Sequence, residues 1–130
     1  MSGNKISIVV LSEHREQLQM AAMIASVGAV SDREVLVFVS MNALRFFVKG
    51  TTDRPAAEGS VGELMEHKNV PPFKQLFEQA VELGGAKLHP CSMAMDLLGL
   101  NQGQLESYLG EPMGLTMFLD AAQGGEVWAF

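Results

Sequence analysis

Hydrophobic positions along the chain fall into short unbroken runs and longer spaced ones. Ile6-Ser7-Ile8-Val9-Val10-Leu11 and Val35-Leu36-Val37-Phe38-Val39 are β-branched and almost wholly apolar, the pattern of strands buried on both faces of a parallel sheet. Between them Leu18, Met20, Ala21, Ile24, Ala25 and Val27 recur at helical spacing, which predicts a first helix from about His14, capped by Ser12 and interrupted at Gly28. Ser40 is placed to cap a short helix over 42–49. From Gly50 to Gly62 there are turn formers and charges without periodicity, so a mobile surface loop is expected, and with it a candidate lid.

Pro71-Pro72 opens the best-patterned helix, with Phe73, Leu76, Phe77, Ala80, Val81 and Leu83 in one stripe and Gly84-Gly85 at its end. Ala86-Lys87-Leu88-His89 reads as a third strand. Pro90-Cys91-Ser92 is then the turn into a helix carrying Met93, Met95, Leu97 and Leu98, ended by Gly99. A helical turn over 102–106, a brief fourth strand near Tyr108 and Leu109, a helix over 115–122, a break at Gly124-Gly125 and a terminal strand over 127–130 follow. The alternation predicts one α/β domain, 1–130: a three-layer α/β/α sandwich with a mainly parallel sheet of about five strands.

Composition narrows the function. With 130 residues, 48% of them hydrophobic and 18% charged, the chain can build one core and lies far from disordered compositions. A net charge of −6, with 15 acidic residues against 9 scattered basic ones, argues against nucleic acid as a partner. The apolar stretch from Met20 to Val30 falls well short of the ~20 residues a membrane span needs. The apolar run after Met1-Ser2-Gly3-Asn4-Lys5 is too short for a secretory leader, and one cysteine cannot close an internal disulfide, so a cytoplasmic location is expected. Neither GxxxxGK[ST] nor GxGxxG occurs, so Gly59 and Gly62 do not form a phosphate cradle and no nucleotide cofactor is expected. His14, His67 and His89, with a single cysteine, offer no closely spaced ligand pair, and no metal is expected.

Cys91 is the residue with chemistry to offer. In an open parallel sheet, reactive groups gather beyond the carboxyl ends of the strands, where helix amino ends also point. A third strand ending at His89 and a helix starting near Ser92 put the thiol beside backbone N–H donors, that of Ser92 among them, and at the positive end of a helix dipole. Those conditions favour thiolate. His89 is a candidate proton shuttle for it, though a strand-to-turn residue can equally point elsewhere. Asp96 lies more than a helical turn away and reads as a surface residue, since a nearby carboxylate would oppose thiolate. Most of the nine methionines read as core, with Met93 and Met95 placed to form an adaptable wall by the cysteine. Trp128 and Phe130 suit either the sheet of one monomer or a subunit interface. A lone cysteine is more often a small buried side chain than a nucleophile, and position alone leaves the two readings balanced.

The stretch Cys91-Ser92-Met93-Ala94-Met95-Asp96-Leu97-Leu98-Gly99 resembles the cysteine motif of the DsrE/DsrF-like sulfur-relay family. It is closest to the second DsrE subgroup, related to TusD-type sulfurtransferase subunits, whose members read Cys-x-Met-Ser-Met-Asp-Leu-Met-Gly. Val37-Phe38-Val39-Ser40-Met41-Asn42-Ala43-Leu44 resembles that family's second strand and turn, and the last helix and strand match its layout. The resemblance implies a persulfide-forming cysteine at Cys91, exchange with rhodanese-like donors and TusA-like acceptors, and assembly into homotrimers or homohexamers. Two positions depart from the pattern: Ala94 stands where the motif has Ser, and Ser12-Glu13-His14 replaces the Gly-Asp that usually follows the first strand.

Three functions follow as expectations. The first is a sulfur carrier or sulfurtransferase working through Cys91. The second is a non-catalytic oligomeric binding or assembly module with a structural cysteine. The third is a peroxide-reducing thiol enzyme, weakened by the lack of a second cysteine to resolve a sulfenic acid.

Overall fold

A computed structural model describes residues 4–130; residues 1–3, read above as part of the start of the chain, lie outside them. Four strands form one sheet: β1 (Lys5–Val10), β2 (Glu34–Val39), β3 (Lys87–Pro90) and β4 (Glu126–Ala129). Their order is β3-β2-β1-β4 and every pairing is parallel, with Ile6 opposite Val35 and Val37 opposite Leu88. The first three strands add in one direction, and β4 returns to the far side of β1, so helices must cover both faces.

On one face lie α1 (Arg15–Val30) and α3 (Phe73–Gly84); α4 (Ser92–Leu98) and α5 (Leu115–Ala121) follow β3, and α2 (Ser60–His67) stands beside α1. Alternation along β2 shows the two faces. A Cβ at Gly28 of α1 would meet Val35 Cγ2 at 3.1 Å and Ile6 Cδ1 at 3.3 Å, whereas Phe38, three positions on, stacks against Phe118 of α5 at 4.9 Å between ring centroids. Between β2 and α2 a 3-10 turn (Met41–Phe47) feeds Phe46 and Phe47 into an aromatic cluster with Phe73, Phe77 and Tyr108.

The sheet has four strands, not about five. The expected strand at Tyr108 and Leu109 is an irregular segment that touches β3 through bridges from Leu88 to Leu109 and from Cys91 to Met113. Gly110 N–H donates to Leu88 O at 2.7 Å and Met113 N–H to Pro90 O at 2.9 Å, but Pro112 between them has no N–H to give, so no continuous ladder forms. Gly28 does not interrupt α1, which continues to Val30, because this glycine serves close helix-to-sheet packing. Ser12 is not the cap of α1: His14 takes that position and Ser12 Oγ accepts its N–H at 2.9 Å. Ser40 does precede a helical turn, but makes no side-chain cap, and the turn is 3-10. The segment 50–62 holds the first turn of α2, which carries no periodic signal, and from Pro55 to Gly62 it is anchored to Arg15 and Glu16.

Gly84 lies where α3 meets α1, and a Cβ there would overlap Ala29, both its Cβ and its backbone. Gly84→Ala is therefore expected to cost about 1–3 kcal/mol, the usual scale of overpacking, despite alanine's better helix propensity. Urea unfolding measures it, and an unchanged or raised midpoint would show that the two helices separate freely.

Candidate functional site

The carboxyl edge of β3 leads directly into Cys91. Its N–H donates to Val39 O at 2.8 Å, which extends the β2–β3 pairing by one step, and its carbonyl accepts from Met95 to begin α4. Cys91 thus occupies the N-cap position of a seven-residue helix, closed by Gly99 in the left-handed conformation at φ 68°. The thiol is free and only 5% exposed. Ala94 and Met95 turn into the core, while Met93, Asp96, Leu97 and Leu98 face outward. At Ala94 the family motif's Ser would bury a hydroxyl; alanine keeps this wall apolar.

Ser92 opens α4 as expected, but its N–H is already donated to Met113 O at 3.0 Å. The first-turn amides without a backbone acceptor among the described residues are those of Met93 and Ala94. His89 is turned towards the irregular edge segment: Nδ1 lies 2.9 Å from Glu111 O. A carbonyl only accepts, so Nδ1 is the donor in this contact. Neither ring nitrogen bonds the thiol among the described residues.

Ser40 was read from sequence only as a cap, and the structure brings it to the site. The β2–β3 register ends with Val39 opposite Pro90, so Ser40 leaves β2 where Cys91 leaves β3, and Cys91 N–H still donates to Val39 O. Ser40 is 5% exposed and its hydroxyl makes no cap to the 3-10 turn that follows. Its neighbour Met41 adopts φ 49°, unusual for a residue with a side chain, and is exposed at the same edge. A lone serine ahead of a helical turn carries no sequence signal that distinguishes these roles.

Residues 12–14, where the Gly-Asp of the resembling family is missing, do other work. Ser12 N–H and Leu11 N–H both donate to Phe130 O, at 3.2 and 2.8 Å, closing the crevice between β1 and β4. His14 bridges to Ala56, and Arg15 N–H donates to Ala56 O at 2.9 Å. His67 lies exposed in the last turn of α2. No group of three or more His, Cys, Asp or Glu side chains fit to hold a metal occurs among the described residues. No described helix is long and apolar enough to cross a membrane.

Residues 50–130 match the model of the DsrE/DsrF/DrsH-like family, a span that includes Cys91, α4 and all that follows. No curated protein matches the chain. Among solved structures, the crystal structure of the ychN protein from E. coli aligns over 100% of both chains with a TM-score of 0.69 and 14% sequence identity, a likeness of fold.

Proposed function

Since the chain belongs to the DsrE/DsrF/DrsH-like family, we propose that it is a sulfur carrier, holding sulfane sulfur on Cys91 and passing it between partner proteins. The observation that supports this most is the position of Cys91: one residue beyond a parallel strand, at the N-cap of a helix, next to the end of β2 at Ser40. The Cys91 thiolate attacks the outer sulfur of a donor persulfide, R–S–S⁻; the donor's S–S bond breaks, R–S⁻ leaves, and Cys91–S–S⁻ remains. An acceptor thiolate then takes the outer sulfur and returns Cys91 as thiolate. No oxidant is consumed. The N–H groups of Met93 and Ala94 and the Ser40 hydroxyl are the donors available to the persulfide anion. Loading by a rhodanese-like donor, unloading to a TusA-like acceptor, cytoplasmic residence and assembly as homotrimers or homohexamers belong to this reading.

Low exposure of Cys91 favours a second reading, an assembly module in which the thiol only fills space. One experiment separates them. Incubation with polysulfide or a loaded rhodanese is expected to add one or more sulfur atoms to the intact mass, reversibly on reduction, and none to Cys91→Ser. No gain, together with alkylation as slow as a buried thiol gives, would make Cys91 structural.

A further inference from the structure

A cleft of about 760 Å³ lies between α1, α3 and the strap 51–55, and Cys91 is not part of its lining. That size is within the roughly 300–1,000 Å³ of small-molecule sites. Phe73, Pro55 and Pro72 give it apolar walls, with Phe46, 1% exposed and covered by the Arg45 guanidinium, behind Phe73 edge to face at 6.4 Å between centroids. Polar groups converge on the same space. Gln19, only 4% exposed, spends Nε2 on Pro71 O at 3.0 Å, and its Oε1 has no partner among the described residues.

The roof is already in place. Arg15 holds Pro55 O at 3.0 Å and Gly62 O at 2.7 Å, and Glu16 accepts the N–H groups of Glu58, Gly59 and Gly62. Such anchoring costs a ligand little ordering of the chain. Of the cationic lining residues, Arg15 pairs with Glu66 at 3.1 Å and Lys74 with Glu106 at 2.7 Å. Arg54 has no carboxylate within ion-pair distance among the described residues. Asp53 is its neighbour in the chain and Glu66, the other acidic lining residue, is taken by Arg15, while α3 begins at the cleft without a side-chain cap, its positive end facing the cavity.

We propose that this cleft binds a small organic carboxylate with a flat apolar body, the ring against Phe73 and Pro72 and the carboxylate at Arg54 and the amino end of α3. Gln19 Oε1 is left for one donor group on the ligand. The site is independent of the thiol chemistry.

Titration of the isotope-labelled full chain with phenylacetate, followed by two-dimensional NMR, tests this, with phenethylamine and benzyl alcohol as cationic and neutral counterparts. Saturable shifts are expected at the Gln19 side-chain amide and across 51–55 and 69–74, unchanged in Cys91→Ser. Arg54→Glu is expected to weaken binding about tenfold or more, the worth of one charged contact. Val70→Trp, which fills the cleft from a turn between helices, is expected to remove the shifts while the remaining spectrum stays folded. Failure of phenylacetate to saturate, equal binding of phenethylamine, or unchanged affinity in Arg54→Glu overturns the proposal.

Discussion

Phe47→Ala is expected to cost about 3–5 kcal/mol of folding stability, a large part of the roughly 5–15 kcal/mol a domain possesses. Phe47 is fully buried and is the centre of the aromatic cluster, with ring centroids 6.0 Å from Phe73, 5.7 Å from Phe77 and 6.4 Å from Tyr108. It joins three parts of the chain: the 3-10 turn, α3 and the segment before α5, which is tied to the turn by a single bridge from Val48 to Leu105 and by the Glu106 N–H donated to Phe47 O at 2.8 Å. Alanine leaves a ring-sized void among rigid neighbours, which cannot all move in to fill it. The damage would be felt at Tyr108 too. Burial, with Glu106 and Glu78 nearby, raises the Tyr108 pKa, and its buried hydroxyl has no partner among the described residues. Urea unfolding is the measurement. A loss below about 1 kcal/mol would mean that the cluster collapses into the space, against the cavity scaling of buried aromatics.

That cluster was only half legible in the sequence. Phe73 and Phe77 stand four apart on a periodic helix, and the helix boundaries at Pro72 and Gly85, the latter at φ 75°, are marked by residues whose backbone preferences decide the matter. Phe46 and Phe47 carry no such signal, because seven residues of 3-10 turn have no apolar repeat to recognise. The buried strands β1 and β2 were readable for the converse reason: water touches neither face, so polar residues are nearly absent from them.

Glycine is ambiguous in sequence: Gly85 and Gly99 do end helices, in the left-handed conformation, whereas Gly28, which reads as an interruption, and Gly62, which reads as the end of a loop, stand inside helices where a side chain would crowd Val35 in one case and Glu16 in the other. A sequence shows a missing side chain without showing what occupies the space. The candidate site divides in the same way. Cys91 and its helix were legible because strand, turn and Gly99 cap are local features, and the family match covers them. Ser40 and the acceptor of the Ser92 N–H were not, since each depends on a neighbouring segment far away in sequence. The cleft was invisible for the same reason, although Arg15-Glu16 directly after a strand turn, facing Gly59 and Gly62, was its trace.

Glu16→Gln is expected to loosen residues 58–59 and the start of α2 together and to remove an acid transition from their amides. The Glu16 carboxylate accepts N–H groups from Glu58 at 2.8 Å, Gly59 at 2.7 Å and Gly62 at 3.1 Å, filling the anion position at the start of α2. These donors, that of Glu58 foremost, hold its pKa at about 2 against an ordinary 4.5. Because the folded value lies below the free one, the carboxylate stabilises the folded chain in full above about pH 4.5, and that contribution is lost as the pH falls towards 2. NMR shifts of the three amides are therefore expected to titrate together near the lower value in the native chain and not to titrate with residue 16 in Glu16→Gln. Gly62→Ala gives an independent approach: its Cβ would lie 2.6 Å from the carboxylate, pushing it off α2, so the midpoint should climb towards 4.5. A native midpoint already near 4.5 would show that the carboxylate spends its time in water. Because residues 58–62 join the strap to the α2 residues Met65 and Glu66 that also line the cleft, the same two substitutions should also weaken phenylacetate binding there, although neither residue touches the space a ligand would fill.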